Sequence, residues 1–286
     1  MPLTALILLM TAAALHTGWN IIVKGAREKQ VFTWWALVVG SLLYLPLVIF
    51  GGPIPAKVWP YAVISALVEG VYFTILVRAY EQSDFSLIYP VARGAAPGLL
   101  AVWAVLFLGE RPQPAGVAGL ALLLLGLMVV ASADWWRQRR LPPLHKSHLV
   151  MALGVALCIS VYSVIDGAAV KMMDPSSYTV LVLGLTGLFT TPVVLTRYGY
   201  RSVVAGWRAQ PFRITLVGFL MLLAYILVLH TYAIARVSYA GALRELSVVF
   251  AAVAGWRWLG ESFGARRTFG AILIFFGILV LAAAAD

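Results

Sequence analysis

The sequence predicts an all-α integral membrane protein in which ten transmembrane helices form two inverted five-helix repeats around a central cavity. Three observations predict this fold class: the composition, the succession of apolar runs and an internal repeat. Of the 286 residues, 62% are hydrophobic and 11% are charged, whereas a soluble domain carries about 25% charged residues. Because a helix needs about 20 apolar residues to cross a bilayer, a chain of this length has room for roughly ten crossings.

Ten apolar runs follow one another along the chain, separated by charged or turn-forming residues. Asp174-Pro175, for example, precedes the seventh run. The charged stretch from Arg137 to His148 is the longest connection, so we expect a first repeat at 1–136, a connecting loop at 137–147 and a second repeat at 148–286. The predicted spans are residues 2–23, 32–52, 59–80, 85–108, 115–134, 148–170, 177–196, 212–235, 238–258 and 267–285.

The two halves repeat each other at a shift of 151 residues. The Leu-Gly-Glu sequence at 108–110 falls on the same sequence at 259–261, and Arg93 falls on Arg244. Arginine and glutamate are thus 17 positions apart in both halves, which apolar composition alone does not explain. Since each half holds an odd number of spans, the second half must enter the membrane from the opposite side.

Lysine and arginine concentrate in the loops that follow the odd-numbered spans. These loops include Arg27, Arg140, Arg201 and Arg266, whereas the loops after even-numbered spans hold few basic residues, such as Lys57. The positive-inside rule then predicts that the odd loops are cytoplasmic and that both termini lie outside. The net charge of +10 is therefore assigned to membrane orientation, and no nucleic-acid partner is expected.

Several motifs at repeat spacing identify a family resemblance over essentially the whole chain. They are residues 15–20 (LHTGWN), 84–94 (DFSLIYPVARG), 241–245 (GALRE) and the two Leu-Gly-Glu sequences. With them the chain resembles the drug/metabolite transporter superfamily, in particular its EamA-type ten-helix members. The resemblance implies a basket of two five-helix bundles around a central cavity. It also implies secondary transport of small metabolites, often export of amino acids or related compounds.

Glu69 is the first candidate for a functional role, because an ionisable group at membrane depth is costly and is kept for a reason. It lies near the middle of the third span, and its repeat equivalent is Leu220, so it belongs to one half only. A buried carboxyl can bind a proton or a cationic substrate group. The alternative is an ion pair with Arg93 or Arg244 that only holds helices together.

Aromatic residues follow Glu69 on the same helical face. Tyr72, Phe73 and Tyr80 lie at spacings of three, four and eleven from Glu69, and an aromatic wall beside a carboxylate suits an ammonium group through cation–π contact. Ordinary helix packing is the alternative interpretation of this stripe.

Arg93 and Arg244 are equivalent by the repeat and lie inside the fourth and ninth spans. Arginine keeps its charge when buried and offers a planar fork to a carboxylate. One of them is therefore a candidate for holding a substrate carboxylate. The alternative is a structural clamp to Glu69, to Glu245 or to backbone carbonyls near the prolines of the fourth span.

Two further polar pairs stand at four-residue spacing in the first and sixth spans. They are His16 with Asn20, next to Trp19, and Tyr162 with Asp166. We expect these faces to point to the cavity, with Asn20 and Asp166 hydrogen-bonding the substrate. Hydrogen bonding between helices is the alternative.

Glu110 and Glu261 are expected at the ends of the fourth and ninth spans as structural caps, together with Glu245 in a structural role. Gly116 and Gly119 in the fifth span, and Gly270 and Gly277 in the tenth, give these spans surfaces for close packing, as a helix pair or a dimer face. A monomer and a homodimer both remain open.

The sequence lacks the residue patterns of common enzymes. It has no Gly-rich phosphate loop, zinc-ligand spacing or nucleophile elbow, and neither His16 nor His230 has an acid at metal-ligand spacing. Its single cysteine, Cys158, lies in an apolar run, which excludes a disulfide within the chain. We therefore expect no enzymatic activity, no catalytic residue, no metal and no cofactor. A membrane scaffold without transport is disfavoured by the inverted repeat.

The sequence favours a secondary transporter that exports an amino acid or a related zwitterion by alternating access, either coupled to protons through Glu69 or running downhill. One alternative is a proton-coupled exporter of lipophilic or quaternary cations, and another is an uptake permease for a small zwitterion. The expected partners are the small-molecule substrate and the lipid bilayer. The expected location is the cell membrane, which in a bacterium is the inner membrane.

Overall fold

The computed structural model describes residues 1–82, 85–131, 146–247, 249–250 and 265–284. At residues 77–82, 85–93, 131, 146–148, 265, 267 and 282 it describes the backbone only. Every regular element in this part of the chain is helical. The α-helices are α1 (Leu3–Lys24), α2 (Lys29–Phe50), α3 (Trp59–Gln82), α4 (Phe85–Leu108), α5 (Pro114–Ala131), α6 (Lys146–Ala169), α7 (Pro175–Ala209), α8 (Pro211–Ile234), α9 (Val237–Arg244) and α10 (Ala265–Ala283).

Six of these helices, namely α1, α2, α3, α6, α7 and α8, are long and apolar enough to cross a membrane. Shorter apolar segments lie in α4, α5 and α10, at Gly94–Leu108, Pro114–Val130 and Thr268–Leu281. The outer surface of the bundle carries large apolar side chains such as Leu42, Phe107 and Phe275. The chain is thus a multi-pass membrane protein whose lipid-facing side is apolar.

Local sequence explains where several helices begin and end. The Asp174 carboxylate accepts the backbone N–H of Ser177 at 2.8 Å, and Pro175 occupies the first turn of α7, where its missing N–H has no cost. Gly109 follows α4 with φ at 66°, a left-handed conformation that favours glycine.

The prediction that residues 197–211 form a loop between the seventh and eighth spans is wrong. Helix α7 instead continues to Ala209, with non-helical backbone at Gly199 (φ 75°, ψ 152°). The segment after this break buries Val203 and packs Trp207 against Trp35 of α2, at 5.3 Å between ring centroids. The many arginines in this segment suggested a solvated loop. Its apolar residues, however, recur at helical spacing and pack against α2.

Helices α5 and α10 cross in opposite directions through four glycines. Gly119 lies against Gly277, and Gly126 lies against Gly270, so residue numbers rise along one helix as they fall along the other. A Cβ atom added at Gly126 would lie 2.7 Å from the carbonyl oxygen of Gly270. The glycine surfaces predicted from the sequence therefore pack on each other within one chain.

Helices α2 and α7 also run antiparallel. The Trp34 indole N–H bonds Thr191 Oγ1 at 3.1 Å, and Ser177 Oγ donates to the Leu47 carbonyl at 2.9 Å. Around these pairs, α1 packs against α8 and α3 packs against α6. If each helix is exchanged for the equivalent helix of the other half, five places along, the α5–α10 and α2–α7 contacts are unchanged. The same exchange turns the α1–α8 contact into the α3–α6 contact. The cavity is lined by side chains of α1, α3, α6 and α8, together with α7 and α9.

Candidate functional site

A cavity of about 90 Å³ lies inside the bundle. Side chains from α1, α3, α6, α7, α8 and α9 surround it, so both halves of the chain contribute. Its polar and aromatic lining consists of His16, Trp19, Glu69, Tyr72, Phe73, Tyr162, Tyr225 and Arg244. Six residues predicted to bind substrate are thus brought together: His16, Trp19, Glu69, Tyr72, Tyr162 and Arg244.

The Glu69 carboxylate faces this cavity from the middle of α3. Its side chain is 4% exposed, and Thr186 Oγ1 of α7 lies 2.9 Å from Glu69 Oε2. The same Thr186 hydroxyl also lies 2.9 Å from the Val182 carbonyl oxygen. The hydroxyl has one hydrogen, so it can donate either to Glu69 or along its own helix.

Arg244 is the last residue of α9 and brings a guanidinium group to the same cavity. Its Nη1 lies 3.4 Å from Ser163 Oγ, and its Nε lies 3.7 Å from Oε1 of the buried Glu245. The C-terminal end of a helix carries partial negative charge, which stabilises a cation there. These contacts leave the arginine within reach of an anionic group in the cavity.

Aromatic rings form a continuous row along one side of the cavity. Phe73 lies 5.1 Å from Tyr72, Tyr72 lies 6.0 Å from Tyr162, and Tyr162 lies 6.5 Å from Tyr225, measured between ring centroids. The row joins α3, α6 and α8. An organic cation beside Glu69 would lie against these rings.

Asp166 lies behind the cavity wall. It is fully buried, and it accepts hydrogen bonds from Ser65 Oγ at 2.6 Å, from the Tyr178 hydroxyl at 2.8 Å and from the Tyr225 hydroxyl. Tyr225 stands between Asp166 and the cavity. Asp166 therefore reaches a bound molecule through this tyrosine.

Other residues predicted for the site lie elsewhere. Asn20 is exposed, and its Nδ2 donates to the His16 carbonyl at 2.7 Å. The side chains of Tyr80 and Arg93 and the whole of Glu261 lie outside the described residues. Among those that are described, no group of three or more His, Cys, Asp or Glu side chains could hold a metal ion.

Glu110 lies at an end of the bundle and caps α9. Its carboxylate accepts the backbone N–H groups of Val237 and Ser238 and the Ser238 hydroxyl. Nearby, Lys171 Nζ donates to the Ala233 carbonyl at 2.9 Å, and partial burial lowers the pKa of this lysine. Because α9 ends at Arg244, the cap fixes the helix that carries the cavity arginine.

Tyr225 and Thr186 are the site residues that the sequence interpretation missed. Tyr225 stands alone as a polar side chain in the apolar stretch of α8, which is the same signal that singled out Glu69. Thr186 gave no such signal, since threonines are frequent along α7 and mostly bond their own helix.

Comparisons with known proteins agree with this architecture. The family model described as "EamA-like transporter family" matches residues 3–132 and 146–283. Of the solved structures, 29 chains match. One of them, titled "Crystal structure of protein", has a TM-score of 0.77 at 19% sequence identity and covers 98% of this chain and 99% of that chain. At this identity the likeness concerns the fold. The search of curated proteins finds no match.

Proposed function

The chain belongs to the EamA-like transporter family, and on that premise we propose that it is a secondary active transporter of a small zwitterionic metabolite such as an amino acid. Members of this family are membrane transporters of small substrates and not enzymes. The observation that carries the proposal is one small cavity in which a carboxylate and a guanidinium both line the wall beside a row of aromatic rings.

A zwitterion matches both charges of this wall. Its ammonium group pairs with Glu69 and lies against the aromatic row, while its carboxylate takes the guanidinium fork of Arg244. The pair of charges on the ligand compensates the pair on the protein, so neither buried ion is left alone when the cavity closes. A ligand with one charge would leave the opposite protein charge uncompensated.

Transport proceeds by alternating access between two inverted five-helix repeats that together supply ten membrane crossings. The antiparallel crossings of α5 with α10 and of α2 with α7 support this topology, because each pair consists of helices that are equivalent by the sequence repeat. Inverted repeats related in this way bind substrate near the bilayer midplane and rock about it.

Proton coupling at Glu69 is part of the proposal, with export as the direction. When Glu69 is ionised, Thr186 donates to it; when Glu69 carries a proton, it can donate to Thr186 while that hydroxyl turns to the Val182 carbonyl. Glu69 therefore has a hydrogen-bond partner in both its ionised and its protonated form, and no helix has to move. A proton and a substrate ammonium group then compete for one carboxylate, which is the requirement for exchange. The protein works in the cell membrane, the inner membrane in a bacterium, with both termini outside.

An exporter of lipophilic or quaternary cations is the second candidate, and the aromatic row favours it. Two observations favour the zwitterion instead. A cation that brings no carboxylate leaves Arg244 uncompensated and so binds more weakly than a zwitterion, and the cavity of about 90 Å³ is small beside the roughly 300–1,000 Å³ usual for drug-sized ligands.

The test is thermal stabilisation of the purified protein by a panel of amino acids, polyamines and quaternary ammonium ions, because a ligand that binds the folded state raises its melting temperature. We expect stabilisation by zwitterionic amino acids, and affinities at least about tenfold lower in Glu69→Gln and in Arg244→Gln, which each remove one charged hydrogen-bond partner.

Arg236→Gln is the matched control, since Arg236 does not line the cavity. It should retain the wild-type affinity. Stabilisation by quaternary cations alone, with Arg244→Gln unaffected, would contradict the zwitterion proposal and support the second candidate.

A further inference from the structure

Asp166 is a buried acid that does not line the cavity, yet it joins four helices. It projects from α6 and receives Ser65 of α3, Tyr178 of α7 and Tyr225 of α8. Ser65 and Tyr178 are fully buried as well. Three hydroxyl donors thus converge on one carboxyl group.

The three hydroxyl groups around Asp166 indicate which group donates in each hydrogen bond. An ionised carboxylate has no hydrogen and only accepts, whereas in a neutral carboxylic acid one oxygen carries a hydrogen and acts as a donor. Ser65 and Tyr178 occupy Oδ1, and Tyr225 occupies Oδ2, so the ion is the form that uses all three hydroxyl hydrogens. Each hydroxyl therefore donates to Asp166.

Tyr225 differs from the other two donors because it also lines the cavity. Glu69 and Arg244 line the same cavity. With its single hydrogen committed to Asp166, the phenol oxygen can only accept a further hydrogen bond. The cavity therefore has an acceptor at Tyr225 besides the Glu69 carboxylate.

We propose that Asp166 is a positioning residue that makes the Tyr225 oxygen an acceptor for a substrate N–H group, so that the site selects primary ammonium groups over fully alkylated ones. The inference deepens the proposed function and rests on it for the ammonium-bearing ligand. The aromatic row attracts any organic cation, whereas the oxygen lone pairs of Glu69 and Tyr225 distinguish an N–H from an N–CH₃. Tyr225 then adds to the selectivity against quaternary cations.

An amide at position 166 should reverse the hydrogen bond between Tyr225 and residue 166, so that Tyr225 accepts from residue 166 instead of donating to it. In Asp166→Asn the carbonyl oxygen stays with the two donors at Oδ1, and the NH₂ group faces Tyr225. Tyr225 must then accept from the amide, and its own hydrogen is released toward the cavity. The variant keeps the size of the side chain while changing Tyr225 from acceptor to donor.

The experiment measures the affinities of butylammonium and of butyltrimethylammonium from titrated melting temperatures of the purified full-length protein. We expect the wild type to bind butylammonium more tightly than its trimethylated counterpart, by about tenfold for one hydrogen bond to a charged group. Tyr225→Phe and Asp166→Asn should lower this ratio, because neither offers the acceptor at Tyr225 and only the Glu69 carboxylate remains.

Tyr178→Phe is the matched control. It removes one hydroxyl from the same carboxylate but from a residue outside the cavity, so it should lower the melting temperature and keep the ratio. An Asp166→Asn variant that folds and keeps the wild-type ratio would show that Asp166 is merely structural. Equal ratios in the two tyrosine variants would show that the cavity-lining hydroxyl does not select, and this comparison is available even where Asp166→Asn does not fold.

Equal binding of the two probes by the wild type, or an unchanged ratio in Tyr225→Phe, would overturn the inference. Failure of the proposed function has a different signature. In that case amino acids do not stabilise the protein, while the butylammonium preference and its decrease in Tyr225→Phe remain.

Discussion

At the scale of single residues, the site depends on hydroxyl groups as much as on charges. Thr186 can donate to Glu69 or to the Val182 carbonyl, and Tyr225 donates to Asp166. A hydroxyl rotates at little cost, whereas a buried charge without a partner is strongly destabilising. In the proposed function, these hydroxyls therefore set which protonation states and which ligand groups the site accepts.

Replacing Thr186 by valine tests the first of these roles. The variant keeps the shape of the side chain but removes the hydroxyl that serves both forms of Glu69. We expect a changed dependence of transport on pH in proteoliposomes, with binding at a fixed pH reduced by about tenfold or less.

Thr190→Val is the control for this experiment. Thr190 lies one turn along the same helix, is also buried, and bonds only carbonyl groups of α7. Its pH profile should match that of the wild type. A change of equal size in both variants would mean that the effect comes from the packing of α7 and not from Glu69.

At the scale of elements, glycine allows the equivalent helices α5 and α10 to approach with backbones in contact. A Cβ at Gly126 would meet the Gly270 carbonyl oxygen and the Ile274 backbone nitrogen at 2.7 and 2.8 Å. These are backbone atoms, which cannot turn aside as a side chain can. Close approach of this kind also allows weak contacts between helices that lipid cannot replace.

Gly126→Ala should therefore destabilise the protein by about 1–3 kcal/mol, the usual cost of overpacking, seen as a lower melting temperature in detergent. Gly98→Ala is the control, because its Cβ would meet only Leu124 Cδ1, at 3.7 Å. It should be neutral or stabilising, since alanine favours helices. Equal melting temperatures for the two variants would contradict the close crossing.

At the scale of the whole molecule, side chains of both halves line one cavity. Its surroundings are not symmetric, since Glu69 and Asp166 have no acidic counterparts at the equivalent positions, Leu220 and Leu15. In the proposed function, a repeated scaffold supplies the motion, and residues present in one half supply the ligand chemistry.

Orientation in the membrane can be tested by cysteine labelling in a Cys158→Ser background. Lys57 and Arg201 are both exposed; Lys57 precedes α3, Arg201 follows the break at Gly199, and the two positions are predicted on opposite sides of the membrane. In intact cells we expect an impermeant maleimide to label Lys57→Cys, and to label Arg201→Cys only after permeabilisation. The reverse pattern would place the termini inside, and equal labelling of both positions would contradict the predicted number of crossings between them.

The sequence by itself determined the helical membrane class and most helix positions, because lipid and protein interiors impose the same apolar requirement on each span. It also identified Glu69 and Arg244, since a charge inside an apolar run stands out by its cost. The family followed from motifs at repeat spacing, and the family match confirms it.

Only the tertiary structure decided which side chains surround the cavity. A helix buried in lipid on one side and in protein on the other is apolar all round, so its hydropathy does not reveal the inward face. For this reason Asn20 was expected in the cavity and is exposed, while Tyr225 was missed and lines it. The helix after Gly199 was missed because its burial depends on Trp35, far away in the sequence. Partners distant along the chain meet only when the bundle closes.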